Sequence, residues 1–136
     1  MITIDFETEG IVGNPIYSPP KPVGVSIKRG SDPSHYYAWG HPTENNCSFE
    51  EAANALLIAV NSGEWLAHNA PFECAVLREF FGYVPSNPLL VHDSLYLIFL
   101  HDPYAFSFSL KPSAERILGL APDEQTDLKN WILRNV

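Results

Sequence analysis

Cationic side chains are scarce in this chain. Eight lysines and arginines stand against sixteen aspartates and glutamates, a formal net charge of −8 over 136 residues. That deficit argues against a domain that grips a polyanion through a basic surface. If the ligand is a polyanion all the same, positive charge must be supplied locally, and bound divalent metal is the obvious source. The bland alternative is an acidic domain with no polyanionic ligand. Cysteine is nearly absent: Cys47 and Cys74 make neither a disulfide framework nor a zinc pattern, so a reducing compartment is expected. No apolar run reaches membrane-spanning length. The longest, Leu95 to Leu100, reads as a buried helical turn or two, and no membrane partner is expected. No basic leader is expected, since the first strand follows Met1 almost at once.

What is present describes one globular domain over residues 1–136. An apolar fraction of 46% and 12% aromatics suffice for a hydrophobic core. Ile2 to Phe6 reads as a first strand, and the proline-rich stretch from Gly10 to Pro22 as a loop. Val23 to Lys28 and His35 to Trp39 read as two further strands of an antiparallel meander. Ser48-Phe49-Glu50-Glu51 is a capping box. The helix it opens places Phe49, Ala52, Ala53, Leu56, Leu57 and Val60 on one face and stops near Asn61-Ser62-Gly63. Trp65 to His68 is a short strand. A helix with Pro71 near its first position then runs to Gly82. Leu89 to His92 reads as a strand, and Asp93 or Ser94 caps an apolar helix that stops at Asp102-Pro103. Ser109 opens a helix through Leu118, closed by Gly119, and a last amphipathic helix from about Asp123 turns Leu128, Trp131 and Ile132 inward. Strands in a meander followed by alternating helices and strands imply a mixed α/β sheet flanked by helices.

The chemistry concentrates in acids. Residues i and i+2 of a strand share a face, so Asp5 and Glu7 project together while Ile4 and Phe6 face the other way. Two like charges that close repel and push one pKa up unless a cation lies between them, and hard oxygen ligands suit magnesium or manganese. Alternatively, Glu7 lies past the strand end in solvent. In the helix after Asn69, Glu73 shares an inward face with Leu77 and Phe80. The helix N-terminus favours an acid there in any case. If that helix and strand one converge at one sheet edge, three carboxylates meet on one rim, the arrangement of a two-metal phosphodiester site.

These residues resemble a known family. Asp5-Phe6-Glu7-Thr8 looks like the first motif of the DEDD 3′–5′ exonucleases, which have a ribonuclease-H-like fold, and His68-Asn69-Ala70-Pro71-Phe72-Glu73 looks like the second. His92-Asp93-Ser94-Leu95, Asp102-Pro103 and the stretch from Ser109 to Leu120 are similar to the following region in proofreading domains of family A DNA polymerases, the DNA polymerase I type, phage-type enzymes included. The resemblance implies that Asp5 bridges two Mg2+ or Mn2+ ions, that Glu7 holds the one that activates water, and that Glu73 helps hold the second. Thr8 and Asn69, with His68 beside them, would contact the terminal nucleotide. Read without it, Thr8 is a strand-end residue, Asn69 a helix cap and His68 a satisfied core histidine. Phe6, Phe72 and Phe106 are candidate stacking surfaces, with core packing the simpler expectation.

Two departures stand out. The family's second motif usually ends in aspartate, and Glu73 moves the carboxylate out by about one C–C bond length. Its third motif is a Tyr or His with Asp four residues later, and no Tyr or His in this chain has Asp at that spacing. The expectation is therefore a C-terminally incomplete exonuclease domain, weak or inactive alone, with Asp93, Asp102 and Asp127 as acids to inspect. The substrate implied is a single-stranded or frayed 3′ end of DNA, with the polymerase domain of the parent chain as partner, in the cytoplasm of a bacterium or phage-infected cell. An RNA-trimming relative resembling ribonuclease D, and a degenerate binding or scaffold module, remain as alternatives.

Overall fold

A computed structural model describes residues 1–120; the expected helix from Asp123, with Asp127, Leu128, Trp131 and Ile132, lies outside them. The described chain runs β1 (Ile2–Thr8), β2 (Pro22–Arg29), β3 (His35–Ala38), α1 (Phe49–Asn61), β4 (Trp65–Ala67), α2 (Ala70–Phe81), a 3-10 turn (Pro88–Leu90), β5 (Val91–Asp93), α3 (Ser94–His101) and α4 (Leu110–Leu118). The five strands form one sheet in the order β3-β2-β1-β4-β5. β1, β2 and β3 pair antiparallel, whereas β4 and β5 add in parallel on the far side of β1. An antiparallel meander extended by parallel strands is the ribonuclease-H-like arrangement.

Strict alternation makes β1. Ile2, Ile4 and Phe6 are buried, while Thr3, Asp5 and Glu7 lie on the opposite face. Val25 and Ile27 of β2 continue the buried face, and Leu56, Ala59 and Val60 of α1 with Val76 and Leu77 of α2 complete the core around Trp65. Each large apolar side chain so buried contributes about 1.5–3 kcal/mol. Phe81 adds an aromatic tier, its ring 5.6 Å from Phe6 and 5.3 Å from Phe49. The Ser48 hydroxyl accepts from the Glu51 N–H at 3.1 Å and starts α1. Gly82 closes α2 at φ 63°, a left-handed conformation that costs glycine little.

Two compact units divide the chain, Met1–Ser94 and Leu95–Val136. The first holds the whole sheet with α1 and α2. In the second, Arg116 of α4 lies 3.7 Å from Asp102, and Phe99 meets Phe108 edge-on. The expected burial of Leu95 to Leu100 does not hold: Tyr96, Leu97, Phe99 and Leu100 are all exposed, because α3 has apolar residues all round and packing covers none fully. Phe106 is fully exposed, against the expectation of core packing, while Phe6 is buried and Phe72 packs on the core. No helix among the described residues is long and apolar enough to cross a membrane.

Candidate metal and active site

β1 places the first two acids. It pairs with β2 along its whole length, Asp5 opposite Ser26 and Glu7 opposite Gly24. Glu7 therefore lies within the strand, not past its end. On the other side β1 pairs with β4 only through Ile2 and Thr3. Beyond Thr3 the two strands part, and the chain that follows β4 enters α2. The ladder also slips between Glu7 and Thr8, a bulge of the kind that re-aims side chains at strand ends.

Glu73 fills the opened edge. It projects from the first turn of α2, is only 2% exposed, and accepts a hydrogen bond from the Phe6 N–H. Its Oε2 is buried and without a hydrogen-bond partner. Burial pushes the Glu73 carboxyl up to about 8, helped by the nearby charges of Asp5 and Asp93 and opposed by the backbone N–H bonds. Asp5 reaches solvent, yet the chain around it still raises its carboxyl, chiefly by desolvation and then through Glu7, against a lowering effect of His68. The same negative field acts on Cys74, whose thiol is raised by burial first and then by Glu73 and Asp93.

His68 is only partly satisfied. Its Nδ1 lies 2.9 Å from the Ser94 hydroxyl, which donates to the Ala67 carbonyl, while its Nε2 is buried without a partner. With the Ser94 proton on that carbonyl, the hydroxyl oxygen is left to accept from the His68 ring at Nδ1. Asn69 is at the N-cap position of α2 but does not cap it. It has φ 68°, its side chain makes no capping bond, and it is left exposed. Thr8 is half-buried and donates to its neighbour's carbonyl, that of Glu9. Asp5 is thus brought within electrostatic reach of Glu7, Glu73 and His68, whereas Thr8 and Asn69 make no bond to them.

Asp93 has a role that the chain order does not suggest. Expected as a cap for α3, it instead accepts from the Asn69 N–H at 2.9 Å and the Ala70 N–H at 3.0 Å, closing the N-terminus of α2. The parallel register, Ala67 opposite Asp93, carries it there, and the strand sits at Val91–Asp93 where Leu89 to His92 was expected. Tyr36 and His41 also went unforeseen. The Tyr36 hydroxyl donates to Glu7 Oε2 at 3.0 Å and lies 2.6 Å from His41 Nε2. One signal for Tyr36 was available: Gly24 interrupts an apolar strand, and a Cβ there would overlap the Tyr36 hydroxyl. Asp102 is paired with Arg116 in the second unit.

The donor set consists of hard carboxylate oxygens with few cations nearby, and the buried Glu73 Oε2 lacks any partner, so the chemistry fits Mg2+ or Mn2+. Among the described residues no three His, Cys, Asp or Glu side chains are gathered closely enough to form a ready-made metal cage. Magnesium does not require one, because it keeps several waters and takes one or two carboxylates together with substrate phosphate oxygens.

No protein-family profile matches the chain, and no curated protein matches it. A solved structure, the apo form of a nuclease, is similar over 90% of this chain at 19% identity, with a TM-score of 0.65. The chain spans about half of that nuclease, 54% of its length, and the likeness is one of fold.

Proposed function

We propose that this chain carries the catalytic core of a metal-dependent 3′–5′ exonuclease of the DEDD type, resembling the proofreading domain of a family A DNA polymerase. The observation that carries the reading is the buried, partnerless Glu73 oxygen at the edge where β1 parts from β4, beside the paired Asp5 and Glu7. Open α/β sheets bind their ligands beyond the carboxyl ends of strands where the chain order switches sides, and this edge is such a place. A nuclease among the proteins of the same fold adds support.

In this reading Asp5 lies between Glu7 and Glu73 and holds the cations with them. The bound ions supply Lewis-acid stabilisation of charge at the scissile phosphate and acidify the attacking water. Glu73, held from the first turn of α2 with the Phe6 N–H beside it, would supply the deepest carboxylate of the site. Asn69, with a left-handed backbone and a side chain free of capping duty, is available to the terminal nucleotide, as is Thr8. Hydrolysis would release nucleoside monophosphates from single-stranded 3′ ends. The family's third-motif aspartate has no counterpart in the sequence, so this chain alone would be weakly active or inactive.

The test is a time course on 3′-labelled single-stranded DNA and RNA of equal sequence with millimolar Mn2+. Slow release of DNA mononucleotides from the 3′ end, abolished by Asp5→Ala and by EDTA, is expected. Preferential digestion of RNA would move the reading to the ribonuclease D type. Digestion that survives Asp5→Ala would overturn the site assignment.

A further inference from the structure

Glu7 is an outlying acid of the three, with 58% of its side chain exposed on an open sheet face. Such a carboxylate would sample several rotamers, yet a bonded chain reaches it from two strands away. The Tyr36 phenol has one proton, which it gives to Glu7 Oε2 at 3.0 Å. At 2.6 Å the contact with His41 therefore needs His41 Nε2–H as donor and the phenol oxygen as acceptor. The order of donation, His41 to Tyr36 to Glu7, ends on a single carboxylate oxygen.

Both supports are themselves held. Tyr36 leans over Gly24, where no larger residue leaves room for the hydroxyl. Asn46 binds the edge strand on both sides of Tyr37, accepting from the Ala38 N–H at 2.8 Å and donating to the Tyr36 carbonyl at 2.7 Å. Asn45 grips the backbone of His41, accepting from its N–H at 2.9 Å and donating to its carbonyl at 2.8 Å.

We infer that Tyr36, oriented by His41, is a positioning residue for Glu7: it fixes one carboxylate oxygen so that the other is presented to the divalent cation. The inference rests on the metal-site reading above. The same hydroxyl could instead merely tie β3 to β1, and the two roles differ in what they do to metal affinity.

Calorimetric titration of Mn2+ into the full 136-residue chain separates them, with wild type, Tyr36→Phe, His41→Gln, Glu7→Gln and the Tyr36→Phe/Glu7→Gln double variant. Outer partners of metal-binding carboxylates are worth roughly tenfold or more in affinity. Tyr36→Phe should lose about tenfold, and His41→Gln should change affinity in the same direction by less. Tyr36→Phe should cost nothing further once Glu7 is Gln. Phe retains the ring over Gly24, and melting curves of Tyr36→Phe and His41→Gln should overlay that of the wild type. Unchanged affinity in Tyr36→Phe, or an equal loss in both Glu7 backgrounds, overturns the positioning role while leaving the metal site intact. A wild-type chain that takes up no Mn2+ overturns both.

Discussion

Glu73 carries its acid into the protein interior, and the cost is readable as a pH dependence. Its folded pKa is raised from 4.5 to about 8, so between those values the folded chain keeps a proton that the unfolded chain has lost. Stability of the metal-free chain therefore falls as pH rises through that window, by up to about 1.4 kcal/mol per unit. Urea unfolding in EDTA at several pH values should show this decline, and Glu73→Gln should flatten it. A wild-type profile that rises from pH 5 to 8 would contradict the buried protonated acid. That Glu73 points inward was legible from its spacing to Leu77. The shared face of Asp5 and Glu7 followed from strand alternation alone. Gly24 marks only that something approaches β2 closely; that Tyr36 meets Glu7 was not legible, because the two lie 29 residues and two strands apart. Only register brings Asp5, Ser26 and Tyr36 into one row.

Among the elements, α2 is the one on which the site depends. Its N-terminus is closed by Asp93 through two N–H bonds, while its own Asn69 contributes none. Charge-assisted bonds to a helix N-terminus are worth about 1.5–3 kcal/mol, so Asp93→Ala should lower stability by about that amount. It should also loosen the first turn that holds Glu73, visible as faster amide exchange at Phe72 and Glu73. Loss of stability without faster exchange there would separate Asp93 from the positioning of the site. By comparison, Leu56→Ala in α1 removes a wholly buried side chain and should cost about 2–5 kcal/mol with no effect specific to the site. Local signals placed these helices well, the Ser48 cap and Gly82 stop of α1 and α2 among them. Local signals failed for Asp93 because the parallel β4–β5 pairing, set by long-range packing, decides which helix it reaches. They failed for α3 because an all-apolar helix pattern says nothing of which face finds a partner.

For the whole molecule the governing number is the net charge of −8. A chain so poor in Lys and Arg has little to offer a phosphate backbone by counterion release. Binding of a single-stranded oligonucleotide should be undetectable in EDTA and appear on addition of millimolar Mg2+. Raising NaCl should weaken it only modestly, since few phosphates meet fixed cations. Tight binding in EDTA with a steep salt slope would contradict metal-mediated binding.

The central claim is that Asp5, Glu7 and Glu73 together hold a divalent cation. Calorimetric titration of Mn2+ into the wild-type chain and into Asp5→Ala tests it most directly. Saturable binding at or below millimolar Mn2+, removed by Asp5→Ala, is expected. Absence of binding by the wild type, or equal binding by both proteins, would contradict it.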